Sequence, residues 1–371
     1  MNIFDEKSIS IKNRLLHLAK SLQATAEPAF EESKTIAIWR DFLIEQQIPV
    51  KWALHGRAPV VDWGLFGQAA ISIVITADLD AVGVESGSTW FCEHTCGHFA
   101  QSVHALGLTY LLFTYGINKD VAVRIIGCPG EECRPIYDLE YPLPYRTGKQ
   151  RLLEEGWFSG ANAVLATHLA DDLTSQTVQF VSGANGVIGI RLCTPQYDPS
   201  DQRPPSLRTY AGILEKWQEE VRYITGDPQL KVRARPVRTG IELWTEFPQE
   251  LAAMQARAVD EILEQLKAQA SIDVQLISSY APLVQSKWLQ DIAFKVLNQE
   301  HGLTHIHIVD QLSGATDLGD VSKDYPVFQL FVGGTSGFTH DSKFQVIDDN
   351  FALLWPIQWL MSMIEELAMI S

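Results

Sequence analysis

Four short apolar runs, at 70–76, 121–127, 163–167 and 325–332, read as buried strands. Each leads into side chains of metal-ligand type: Asp78-Leu79-Asp80, Glu131-Glu132, His168, and a loop carrying His340. A fifth such stretch, His94-Thr95-Cys96-Gly97-His98, stands at the head of a helical pattern that runs to about residue 115. Apolar strands alternating with helices restrict the chain to a mostly parallel sheet, covered on both faces. In open α/β sheets, ligands sit outside the carboxyl ends of the strands. Five segments distant in sequence are therefore expected to converge on one site.

Helical periodicity marks 8–22 and 31–47, separated by a break near Pro28. Between the third and fourth apolar runs the pattern changes. A strand at 187–194, a helix at 207–224, strands at 230–237 and 240–245, a helix at 250–270 and a strand at 271–279 follow in order. That is a β-α-β-β-α-β split-βαβ, or ferredoxin-like, plait. It is complete in about a hundred residues, a normal domain size. The fold expected is α/β, with a mostly parallel sheet built from 1–177 and 283–371 and an α+β plait inserted as 178–282.

His94, Cys96 and His98 place three donors in five residues, and thiolate with imidazole suits zinc and similar divalent ions. Cys96 also stands at a helix N-terminus, where the dipole favours a thiolate. That helps a metal ligand and a nucleophile equally. Asp78 and Asp80, two apart on extended backbone, point the same way, and like charges held close call for a compensating cation. Glu131 and Glu132 are adjacent and diverge, so one can face a metal and the other a substrate. His168 closes a strand, and His340 lies in a glycine-rich loop. His17, His55, His104, His301, His305 and His307 have no such context and are read as structural. Together the five segments read as a divalent-metal hydrolase centre.

The net charge of -16 argues against nucleic acid or an anionic membrane as partner. No window approaches the ~20 apolar residues of a membrane span, and the start of the chain shows no secretory pattern, so a cytoplasmic protein is expected. Five cysteines in 371 residues suggest reduced thiols rather than a disulfide framework.

These motifs resemble those of the di-metal aminoacylase and carboxypeptidase-G-type amidohydrolases, most of all the branch of hippurate hydrolases and indole-acetyl-amino-acid hydrolases. Glu27-Pro28-Ala29-Phe30-Glu31-Glu32 is similar to that family's opening His-Pro-Glu-Leu-x-Phe-Glu-Glu. Ala77-Asp78-Leu79-Asp80-Ala81, His94-Thr95-Cys96-Gly97-His98, Pro129-Gly130-Glu131-Glu132 and the segment around Asp317 resemble later family motifs. The resemblance implies Cys96 as a ligand bridging two divalent ions of zinc, manganese, nickel or cobalt, with His98, Glu132, His168 and His340 completing the set. It implies Glu131 as general base, Asp80 as the group orienting a ligand, and Asp317 as support from behind. Asp78 stands where other branches place a ligand histidine, so Asp78, like His94, is assigned only to the surroundings of the metal or substrate. The substrate implied is a small-molecule amide, an N-acyl amino acid or dipeptide-like compound, and the inserted plait would serve as lid and homodimer interface.

The chain departs from the family in places. Phe99-Ala100-Gln101 replaces the Asp-Gly-His that follows Cys-Gly-His, and Ile126-Gly127-Cys128 precedes Pro129. No histidine lies between His168 and His301, where the lid supplies one to a neighbouring subunit, and Trp244 aligns with the lid arginine that holds a substrate carboxylate. Arg191, Arg208, Arg235 and Arg238 are the substitutes available. Two other readings follow: a binding or regulatory protein that has lost catalysis, and a thiol hydrolase using Cys96 with His94 or His98.

Overall fold

The computed structural model describes residues 9–86, 89–132, 145–193, 232–237, 240–247, 273–300 and 305–370, with single helical positions between 215 and 264. The fold is mixed α/β. Strands of the main sheet lie in the spatial order Lys51–Ala53, Ala58–Trp63, Val121–Cys128, Ile71–Asp78, Ala163–Leu169, Val327–Val332 and Thr177–Cys193. Ile71–Asp78 runs parallel to Val121–Cys128 on one side and to Ala163–Leu169 on the other, and Ala163–Leu169 runs parallel to Val327–Val332. Ile71–Asp78 and Val327–Val332 are buried along their whole length, which is why these runs read as continuously apolar. One face is covered by the helix His98–Tyr115, itself buried from His98 to Thr109, together with Ile9–Gln23 and the C-terminal helix Trp355–Ile370.

The carboxyl ends of the parallel strands carry Asp78, the turn after Cys128, and His168. A hairpin, Val82–Ser86 with Thr89–Glu93, closes the chain between Asp80 and Cys96 and returns it to the same edge.

The strand expected at 187–194 begins at Thr177 instead and continues to Cys193. Ser182-Gly183-Ala184-Asn185-Gly186 has a loop composition, but Leu283–Val284 and His305–Ala315 pair with this stretch and hold it extended. The far half of the strand, from Gly186, joins an antiparallel sheet ordered Asp273–Tyr280, Gly186 to Cys193, Gly240–Phe247, Val232–Val237. Numbered along the chain this is 4-1-3-2, the arrangement of the ferredoxin-like plait. The helices expected at 207–224 and 250–270 lie outside the described residues apart from those single positions. Among the described residues, no helix is long and apolar enough to cross a membrane.

Candidate metal centre

Donor atoms of Cys96, His98 and Glu132 all lie within 4.8 Å of one another. Two glycines permit this. Gly97 has φ 85, the left-handed region, and turns the chain from Cys96 into the helix; a Cβ there would press against Leu169 at 3.1 Å. Gly130, at φ 68, makes the turn before Glu131, and a Cβ there would lie 2.5 Å from the Phe30 ring.

Asp80 joins the ligand segments. Its Oδ1 and its main-chain carbonyl lie 3.2 and 3.1 Å from His98 Nδ1, and its Oδ2 accepts from the Glu132 N–H at 2.9 Å. A carboxylate at Nδ1 fixes the imidazole and leaves Nε2 for a cation. His168 Nδ1 lies 2.7 Å from the Leu169 carbonyl, and its ring stands edge-on to His98 at 5.7 Å. His340 enters from the far loop with backbone in the left-handed region at φ 67. Its N–H donates to Thr95 O at 2.9 Å, and its Nε2 lies 3.2 Å from Glu132 Oε1. Glu131 Oε2 is 3.8 Å from His98 Nε2.

Electrostatics argue for a cation. Asp80 and Glu131 are both buried here and share the His98 imidazole. Burial, then the charges of Asp78 and Asp317, push the Glu131 carboxyl well up, and His98 works against them. Burial also raises the Cys96 thiol. It disfavours the His98 cation as well, but Cys96, Asp80 and Asp78 outweigh it and raise that group. Burial and the neighbouring His98 lower His168 to about 4, so it is neutral and able to ligate near pH 7. A thiol, imidazoles and surplus carboxylates packed together fit divalent ions.

The remaining candidates fall around this cluster. His94 turns away: its Nε2 lies 3.1 Å from Thr25 O and its ring stands edge-on to Phe99. Asp78 and Asp317 are both paired with Lys149, a buried lysine that sequence reasoning passed over. No local signal marks it, since its partners are 71 and 168 residues away. Gln101, noticed only as a departure, donates to Asp78 Oδ2 at 3.3 Å and accepts from the Asp78 N–H. His104, read as structural, is held between Thr167 Oγ1 and Ala352 O.

On the plait, Arg191 is held by Glu242 at 2.8 Å. Trp244 Nε1 also reaches Glu242, and its ring fills the space that a Cβ at Gly189 would occupy. Arg208 and Arg238 lie outside the described residues.

No family model matches the chain. Over 96–97% of its length it superposes on a Bacillus subtilis dinuclear metal-binding peptidase of the M20 family (TM-score 0.67, 18% identity, 99% of that chain) and on an aminohydrolase described as putative from methicillin-resistant Staphylococcus aureus (TM-score 0.70, 18% identity, 97% of that chain). The chain carries the M20 peptidase fold. Aminobenzoyl-glutamate utilization protein from Klebsiella pneumoniae shares it at TM-score 0.63 and 13% identity, over 97% of this chain and 96% of that one. In sequence, N-acetylcysteine deacetylase of Bacillus subtilis strain 168 is 25% identical over 177 residues, 46% of this chain and 43% of the relative. An N-acetyl-L-cysteine deacetylase of the same strain is 24% identical over 186 residues, 47% of this chain and 40% of the relative. The matched region thus spans less than half of either curated relative.

Proposed function

We propose that this protein is a metal-dependent amidohydrolase that cleaves an N-acyl amino acid or a dipeptide-like amide. The observation carrying this reading is the convergence of Cys96, His98 and Glu132 within 4.8 Å, beside the buried carboxyl of Glu131. The ligands would be Cys96, His98, Glu132, His168 and His340, holding two ions of zinc, manganese, nickel or cobalt. Such ions supply polarisation of the amide carbonyl and a more acidic water.

The chain's own residues supply the rest. Glu131 takes the proton of the attacking water at its carboxylate and returns it to the leaving nitrogen. Asp80 holds His98 and the Glu132 backbone in place. The sequence relatives act on N-acetylcysteine by their names, which supports a small acylated amino acid as the first substrate to try. Assignment to the hippurate-hydrolase branch, a lid formed by 178–282, dimerisation through that lid and a cytoplasmic location belong to the same proposal.

Release of amine from a panel of N-acyl amino acids, N-acetylcysteine included, tests it. Wild type with added divalent metal should turn over, and Glu131→Gln should be slower by roughly 10²–10⁴-fold. Equal rates would remove Glu131 from the mechanism.

The lack of a histidine between His168 and His301 and the tryptophan at 244 favour a second reading, a binding protein without catalysis. With Arg191 committed, a substrate carboxylate needs another cation. Tight ligand binding with zero turnover across the panel would select that reading. The thiol-hydrolase reading has less support: Cys96 is fully buried, and its burial holds the thiol protonated.

A further inference from the structure

Lys149 has no part in the chemistry above, yet it pairs with two carboxylates of the same buried region, Asp78 and Asp317. Its side chain is 1% exposed. The ammonium donates to Asp78 Oδ1 and, at 2.6 Å, to Asp317 Oδ1, and the Lys149 N–H reaches Asp317 Oδ2 at 3.2 Å. The second oxygen of Asp78 is also engaged, accepting from Gln101 Nε2 at 3.3 Å. Both oxygens of this buried carboxylate are therefore committed to protein donors.

The lysine is held there firmly. It lies in the first turn of the helix Gly148–Glu154, whose start is closed by a capping box between Thr147 and Gln150. Gln150 also donates to Asp320 Oδ2 at 2.8 Å and to Ser279 O at 2.7 Å. Gly148 abuts the turn that carries Glu131 and Glu132 so closely that a Cβ would lie 1.8 Å from Pro129 O. A buried carboxylate deprived of its partner seeks another cation, because an unpaired charge there is strongly unfavourable.

We infer that Lys149 is a positioning residue, a built-in counter-ion that keeps Asp78 out of the metal's coordination and so limits the ligand set. The inference rests on the metal-centre reading proposed above. Asp78 ends the strand between those leading to Glu131 and His168, so a freed Asp78 carboxylate would compete for an ion. With Lys149 in place, Asp78 instead ties that strand to the helix that begins at His98, through Gln101.

The test is titration of the metal-free protein with cobalt(II), read as bound cobalt per chain and as the visible and thiolate charge-transfer bands. Asp78→Asn, with Lys149 present, should keep the wild-type stoichiometry and spectrum. Lys149→Met, checked for folding by circular dichroism, should take up more cobalt or show altered bands, and that change should vanish in Lys149→Met/Asp78→Asn. Loss of cobalt or altered bands in Asp78→Asn would overturn the inference, as would a wild-type spectrum and stoichiometry from folded Lys149→Met. If Lys149→Met does not fold, Asp78→Asn decides alone. Absence of cobalt uptake by wild type would overturn the metal-centre reading and this inference with it, whereas uptake that depends on Asp78 would overturn this inference only.

Discussion

Glu32 Oε1 accepts a hydrogen bond from the backbone N–H of Gly130 at 2.8 Å, tying the N-terminal segment to the turn that carries Glu131 and Glu132. The same oxygen accepts from the Phe30 N–H at 2.8 Å, and Phe30 adopts a left-handed backbone at φ 60 with its ring against Gly130. Five residues before Glu32, Glu27 accepts from the Thr35 N–H at 2.8 Å, while its carbonyl takes the Ala81 N–H. Residues 27–32 thus brace both acidic loops.

Burial, then the charge of Asp80, pushes the Glu32 carboxyl from 4.5 to about 8. The sign follows. The neutral form is favoured in the folded state, so this group's contribution is fully present below pH 4.5 and is lost as pH rises toward 8. Glu32→Gln, which cannot ionise, should therefore gain in Tm relative to wild type between pH 5 and pH 8. A constant difference across that range would contradict the assignment. Glu32→Ala should lose about 1–3 kcal/mol by denaturant titration, the cost of leaving buried donors unpaired.

Gly130→Ala meets two obstacles, a left-handed φ and the Phe30 ring. Strain of this kind costs about 1–3 kcal/mol. Adding Phe30→Ala should relieve the steric part and leave the conformational part. If Gly130→Ala is as stable as wild type in urea, the turn is not constrained as described.

Asp80→Asn keeps the shape but replaces the carboxylate at His98 Nδ1. Loss of such a partner weakens metal affinity by roughly 10–100-fold. Isothermal titration with zinc measures it, and unchanged affinity would deny Asp80 its orienting role.

Cys96 is fully buried, so the folded protein should resist alkylation at this position while a chelator abolishes turnover. Mass spectrometry after brief iodoacetamide treatment locates the label. Activity that survives chelation would restore the thiol mechanism.

Much of this arrangement was legible in the chain before folding. Runs such as 71–78 announce strands covered on both faces, because helices on either side leave no polar surface to supply. Cys96-Gly97-His98 and Glu131-Glu132 carry their chemistry within a few neighbouring positions, so they stood out as candidates once the other acidic and histidine segments were set beside them. The strand Thr177–Cys193 was only half visible, since Gly183 and Gly186 favour loops and pairing with distant strands holds them extended.

Residue types in order along the backbone were enough to give the fold class and to mark the side chains of metal-ligand type, since strand and helix periodicity and ligand softness are local properties. Folding alone settled that Asp80 bridges His98 and Glu132, that His94 faces Thr25, and that Lys149 claims Asp78 and Asp317. A buried charge selects its partner by distance in space, and separations of 71 and 168 residues leave no mark on local pattern.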